Sequence, residues 1–73
     1  MEQTMQRNYE LLTQAYIKPK EIIEITGTSK STVSRYVAKH KLKRYPWGYE
    51  TRKVIKAFGL TDYFDWLTAQ KKN

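Results

Sequence analysis

Glu21-Ile22-Ile23-Glu24-Ile25-Thr26-Gly27-Thr28-Ser29-Lys30-Ser31-Thr32-Val33-Ser34-Arg35-Tyr36 is the stretch that decides how this chain folds. Pro19, just ahead of it, suits the first turn of a helix, where its missing N–H leaves nothing unpaired. Ile22, Ile23 and Ile25 give that helix its apolar side. Gly27 stops it, because glycine takes the left-handed conformation that turns a chain sharply. Thr28 or Ser29 then caps a second helix through its hydroxyl. Val33, Tyr36 and Val37, with His40 as an optional fourth, form its inner stripe and leave Lys30, Ser31, Ser34, Arg35, Ala38 and Lys41 outside. The reading is two short helices meeting steeply between about Pro19 and His40, the second covering about 29–41.

Outward from this centre the punctuation is Lys18-Pro19, Pro46-Trp47-Gly48 and Gly59. Upstream, Tyr9, Leu12 and Tyr16 recur at spacings of three and four, with Leu11 and Ala15 beside them, and predict a helix from about Gln6 to Tyr16. Downstream, Lys43-Arg44-Tyr45-Pro46-Trp47-Gly48-Tyr49 sets aromatics around a turn and reads either as a short hairpin or as an irregular loop. Thr51 starts a fourth helix with Val54, Ile55 and Phe58 inside, ending at Gly59. Thr61 caps a fifth, with Tyr63, Phe64, Trp66 and Leu67 apolar and Asp62 and Asp65 suited to its positive end. Residues 70–73 are expected to fray.

Composition narrows the function classes. Seventy-three residues give one domain, and a chain of this size buries only about 60% of its unfolded surface. Without cysteine there is neither a disulfide nor a thiolate metal site, and His40 alone builds no zinc site. A single His on a basic helix excludes a Ser/His/Asp set, and no Gly-rich phosphate loop is present. A non-enzyme without cofactor, metal or small-molecule substrate is expected. No apolar run approaches a membrane span, and Met1-Glu2-Gln3-Thr4 does not resemble a signal peptide, so the expected location is cytoplasmic and nucleoid-associated. The charge is informative: of the net +7, residues 29–49 hold six cations and no carboxylate. A polyanion is the natural partner of such a stretch.

The run from Glu21 to Tyr36 resembles the helix-turn-helix of bacterial regulators, and Ser29-Lys30-Ser31-Thr32-Val33-Ser34-Arg35 is close to what many repressor and resolvase families carry there. Ile23 stands where those families usually have a small residue, and Thr26 and Thr28 where aliphatic residues are common. These departures imply a wider helix crossing or a hydroxyl that caps the turn. Over about residues 16–59 the pattern is similar to small excisionase-type winged helix proteins of phages and mobile elements. That resemblance implies a wing at 42–50 carrying Lys43, Arg44 and Trp47 along the DNA. A helix ahead of the motif departs from that family and fits a bare trihelical domain, like the DNA-binding ends of resolvases, more naturally.

The expectation is a mainly α fold: a helix-turn-helix three-helix core, a short β-hairpin wing if 42–50 pairs, and two C-terminal helices. Its expected partner is double-stranded DNA, with the second helix of the motif in the major groove. Arg35 is the first choice for a base contact, since its fork matches the two acceptors of guanine. Lys30 reads as a base or a phosphate contact, and Ser31 and Ser34 as hydroxyls serving either. Ser29 joins them at the helix start. Thr32 meets a phosphate or packs in the turn, and Lys39, Lys41, Lys43 and Arg44 neutralise backbone. Tyr45, Trp47 and Tyr49 read as core cover or as stacking groups for single strands. Phe64, Trp66 and Leu67 read as core or as a homodimer contact through the C-terminal helices. The expected role is transcriptional regulator or recombination directionality factor. The alternatives are a protein-binding module, such as a phage-type inhibitor of a host protein, and a single-strand binder.

Overall fold

The structure, a computed structural model, describes residues 3–72. Five helices carry it: α1 (Gln3–Thr13), α2 (Pro19–Thr26), α3 (Lys30–Lys39), α4 (Thr51–Ala57) and α5 (Thr61–Lys72). Two two-residue strands, β1 (Tyr16–Ile17) and β2 (Tyr49–Glu50), complete a mainly α fold. They pair antiparallel, Tyr16 opposite Glu50 and Ile17 opposite Tyr49, and so tie the chain just before the α2–α3 pair to the chain just after it.

The apolar pattern explains the packing. Ile22 of α2 and Val33 of α3 face each other across the turn and are almost wholly buried, with Ile23 and Val37 at the margin. Leu11 and Leu12 of α1, Val54 and Ile55 of α4 and Leu67 of α5 belong to the same core, and Ile17 and Tyr49 of the small sheet join it. Full burial of such a side chain stabilises by about 1.5–3 kcal/mol, so Ile17, Ile22, Val54 and Leu67 are the positions the fold depends on most. A polar link crosses the core's edge: Asn8, buried on α1, donates from Nδ2 to the Tyr63 hydroxyl on α5 at 2.8 Å. At the surface Arg7 of α1 pairs with Glu24 of α2 at 2.9 Å. The hydrogen bond to Glu24, and secondly its charge, raise the Arg7 pKa above its ordinary value. A raised pKa contributes stability that is fully present below the unfolded value and is lost only as pH climbs through the raised one, so the pair gives no pH dependence in the ordinary range.

Several expectations change. The first helix runs Gln3–Thr13 rather than from Gln6 to Tyr16. The Thr13 hydroxyl turns back onto the carbonyls of Tyr9 and Glu10, and Tyr16 is drawn into β1, where it is exposed. Tyr36 is 38% exposed rather than inside, lying on Phe58 with ring centroids 5.1 Å apart. His40 is exposed at the end of α3. Trp66 is 47% exposed, so α5 buries Leu67 fully and Tyr63 and Phe64 in part. The Leu60 carbonyl accepts the first bond of α5, from Phe64 N–H, which makes Thr61 its first residue rather than its cap. Residues 70–72 are helical rather than frayed, and Asn73 lies outside the described residues. Of the two readings of segment 42–50, the structure has the short hairpin. Tyr45 and Gly48 exchange backbone hydrogen bonds at 2.9 and 3.0 Å around Pro46-Trp47, and the chain then enters β2.

Candidate nucleic-acid interface

The start of α3 is held by its cap. Ser29 is extended, and its Oγ accepts the Thr32 N–H at 3.2 Å, satisfying one of the unpaired donors of the first turn. The turn ahead of it is held by hydroxyls at the two unusual positions: Thr26 Oγ1 donates to the Ile22 carbonyl at 2.8 Å and lies 2.8 Å from Thr28 Oγ1. Gly27 takes φ +70°, the left-handed conformation its position requires. Thr32 is half-buried, with its hydroxyl 3.1 Å from Ser29 Oγ and accepting from Arg35 Nη2 at 3.4 Å. Ser29 and Thr32 thus serve the turn, and Thr32 also steadies the Arg35 side chain.

Lys30, Ser31, Ser34, Arg35, Lys39 and Lys41 are all exposed. With about 100° between successive helical residues, Ser31, Arg35 and Ala38 stand on the face opposite Val33. Lys30 and Ser34 occupy the flank turned toward α2 and the 45–48 turn. There a groove of about 530 Å³ is lined by Lys18, Lys20, Lys30, Ser34 and Arg44, floored by Ile23, Val33 and Val37, and walled by Tyr45, Pro46 and Tyr49. Four cations and no carboxylate line it, and none of the four is in an ion pair among the described residues. Lys43 stands apart from this group, with Nζ 5.1 Å from the Tyr45 ring centroid and on a small hollow shared with Lys53. Lys39 and Lys41 lie beyond the groove toward the end of α3.

Lys18 and Lys20 are the groove residues that the sequence reading missed. Their signal was available: both sit at the start of α2, and Lys30 is the first residue of α3. The macrodipole makes such ends positive and disfavours cations there. Three lysines at two positive helix ends concentrate charge instead of compensating it. Glu21 in the first turn of α2, which accepts from the Lys18 N–H at 2.9 Å and from Gln14 at 3.0 Å, offsets one of these charges and leaves the group net positive.

Among the described residues no group of three or more His, Cys, Asp or Glu could hold a metal ion, and no helix is long and apolar enough to cross a membrane. No family model, curated protein or solved structure matches this chain.

Proposed function

We propose that this protein binds double-stranded DNA sequence-specifically, with α3 in the major groove, as a small transcriptional regulator or recombination directionality factor of a phage or mobile element. The observation that carries the DNA-binding part is the carboxylate-free groove of Lys18, Lys20, Lys30 and Arg44 beside the exposed Ser31–Arg35 face of a capped helix. A helix about 10–12 Å across enters a major groove about 12 Å wide. With α3 there, the groove cations lie beside the path of a phosphate backbone, and Arg35, Ser31 and Ser34 are the side chains that reach base edges. Phosphates fix the register and the short polar face reads the sequence. The regulator or directionality role, and the mobile-element source, rest on the resemblance of residues 16–59 alone.

The test is duplex binding by wild type and Arg35→Ala across a salt series, on random-sequence DNA and on DNA flanking the protein's own gene. A preferred site that Arg35→Ala no longer distinguishes, with residual salt-sensitive binding retained, supports the reading. Absence of duplex binding by either protein at low salt overturns it and turns the search toward a protein partner. A protected palindrome then marks a repressor dimer, and adjacent sites filled cooperatively mark a directionality factor.

A further inference from the structure

Three aromatic rings gather on the outside of the molecule at the 45–48 turn. Tyr45 and Trp47 stack nearly parallel, 12° between planes and 5.4 Å between centroids. Tyr16, arriving on β1, stands edge-on to both at 5.5 and 5.7 Å. Core burial does not account for the cluster, because Trp47 remains 52% exposed and Tyr16 37%. A single exposed aromatic is unremarkable. Here the ring is instead held: Tyr45 supports one face of the indole, and a bridged turn fixes the backbone beneath it.

The surroundings select the occupant. Tyr45 and Pro46 also wall the basic groove, and Trp47 and Tyr16 line a neighbouring hollow with Lys18 and Glu21, so Lys18 borders both. Two carboxylates stand near, Glu21, which accepts from the Lys18 N–H and Gln14, and Glu50, which accepts from the Tyr45 hydroxyl at 3.5 Å with Lys53 at 3.9 Å, and the four groove cations outnumber them. A flat apolar face beside unpaired cations matches a nucleobase attached to its phosphate.

We propose that Trp47 stacks on an unpaired nucleobase, so that the protein prefers a duplex carrying a bulged or overhanging base next to the segment bound by α3. This rests on the duplex-binding reading above and adds a substrate class to it. Relative magnitudes decide against stacking in a perfect duplex. Base–aromatic stacking is worth roughly 5- to 150-fold in affinity. Pulling a paired base from its stack costs a comparable or larger factor. The gain survives only where the base is already unpaired, and the ring, already held by Tyr45 and Tyr16, loses little freedom on binding.

The experiment uses the Trp66→Phe variant, which leaves Trp47 as the only one of the two tryptophans. It is titrated with one fully paired duplex and with a set differing only in the place of a single extra unpaired adenine, including terminal overhangs. Expected are quenching of Trp47 emission and, for at least one member, affinity roughly 5- to 150-fold above that for the paired duplex. Trp47→Ala should lose that excess while still binding the paired duplex, with a melt lowered by the lost Tyr45 and Tyr16 contacts, and Trp47→Phe should keep part of the excess. Paired duplex bound with no preference for any unpaired base, or a preference that survives Trp47→Ala, overturns this proposal and leaves the duplex reading standing. No binding to any duplex at low salt overturns both.

Discussion

Gly48 presses its Cα against the backbone of Ile17: a methyl group there would collide with the Ile17 carbonyl oxygen and lie 2.8 Å from its carbon. Its φ of +123° is also one that side chains rarely adopt. The close approach lets β2 pair with β1 immediately after the Tyr45–Gly48 turn, and that pairing closes the wall of the basic groove. Strain and overpacking together predict that Gly48→Ala destabilises by about 2–4 kcal/mol. Gly27→Ala meets nothing within 4 Å and should cost only about 1–2 kcal/mol through its backbone conformation. Urea unfolding of the two variants checks the ordering. Equal costs would mean that the contact with Ile17 is not tight.

Lys41 holds at the end of α3 the position that Gly59 holds at the end of α4. After α3, Leu42 N–H reaches the Val37 carbonyl and Lys41 N–H reaches Ala38; after α4, Leu60 N–H reaches Ile55 and Gly59 N–H reaches Lys56. Both are the Schellman pattern, whose left-handed residue is usually glycine, yet Lys41 sits at φ +52° and Gly59 at +66°. Lys41→Gly should therefore stabilise the fold by about 1 kcal/mol. If the cation neutralises a phosphate, the same variant should also bind duplex DNA more weakly and with a shallower salt dependence. A thermal melt and a salt series on one preparation read both effects, and a gain in stability without loss of binding would remove Lys41 from the interface.

The sequence reading placed the parts that rest on local chemistry. Pro19 at the start of α2, Gly27 in the left-handed region and Ser29 as the cap of α3 follow from φ limits and orphan N–H groups, which neighbours do not alter. The partners of residues 16 and 45–50 were not legible, because strands of two residues carry no periodicity and β1 finds β2 across the whole α2–α3 pair. Tyr16 fitted a helical stripe equally well until pairing with Glu50 claimed its backbone. At the candidate site, exposure of Lys30, Ser31, Ser34 and Arg35 followed from helical phase. The convergence of Lys18 and Lys20 with Arg44 is a property of the turn's position, which the chain alone did not supply.

The Asn8–Tyr63 hydrogen bond joins α1 to α5. Asn8 is 7% exposed and its amide donates to the Tyr63 hydroxyl at 2.8 Å. Tyr63→Phe removes the acceptor and leaves a buried amide unsatisfied, which costs about 1–3 kcal/mol. Adding Asn8→Leu removes the unsatisfied donor, so the double variant should recover most of that loss. Four-way comparison of unfolding free energies gives the coupling, and additive losses would show that the hydrogen bond contributes little.

Thr51 offers a substitution of opposite sign. It is 2% exposed at the start of α4, its N–H donates to the Ala15 carbonyl at 3.1 Å, and its Oγ1 has no hydrogen-bond partner among the described residues. Thr51→Val keeps the shape and removes a buried hydroxyl that forgoes its bond to water, so stability should rise by about 1 kcal/mol. A fall of similar size in chemical denaturation would mean that the hydroxyl is satisfied in solution.

Cations of the groove and cations outside it can be separated by salt. Lys18 and Lys20 line the groove with Lys30 and Arg44, whereas Lys56 is exposed on α4 and does not line it. Each phosphate neutralised on duplex DNA contributes about 0.9 to the slope of log affinity against log salt. Lys18→Ala and Lys20→Ala should each lower the magnitude of that slope by about this amount, on specific and random duplexes alike, because a phosphate contact positions without reading sequence. Lys56→Ala should leave the slope unchanged, even though it removes the same charge from the molecule. If all three variants flatten the slope equally, net charge alone drives association and the groove is not the backbone's path. If only the groove variants do, the positive ends of α2 and α3 act together on one strand, and Arg35 is left to supply the discrimination that they cannot.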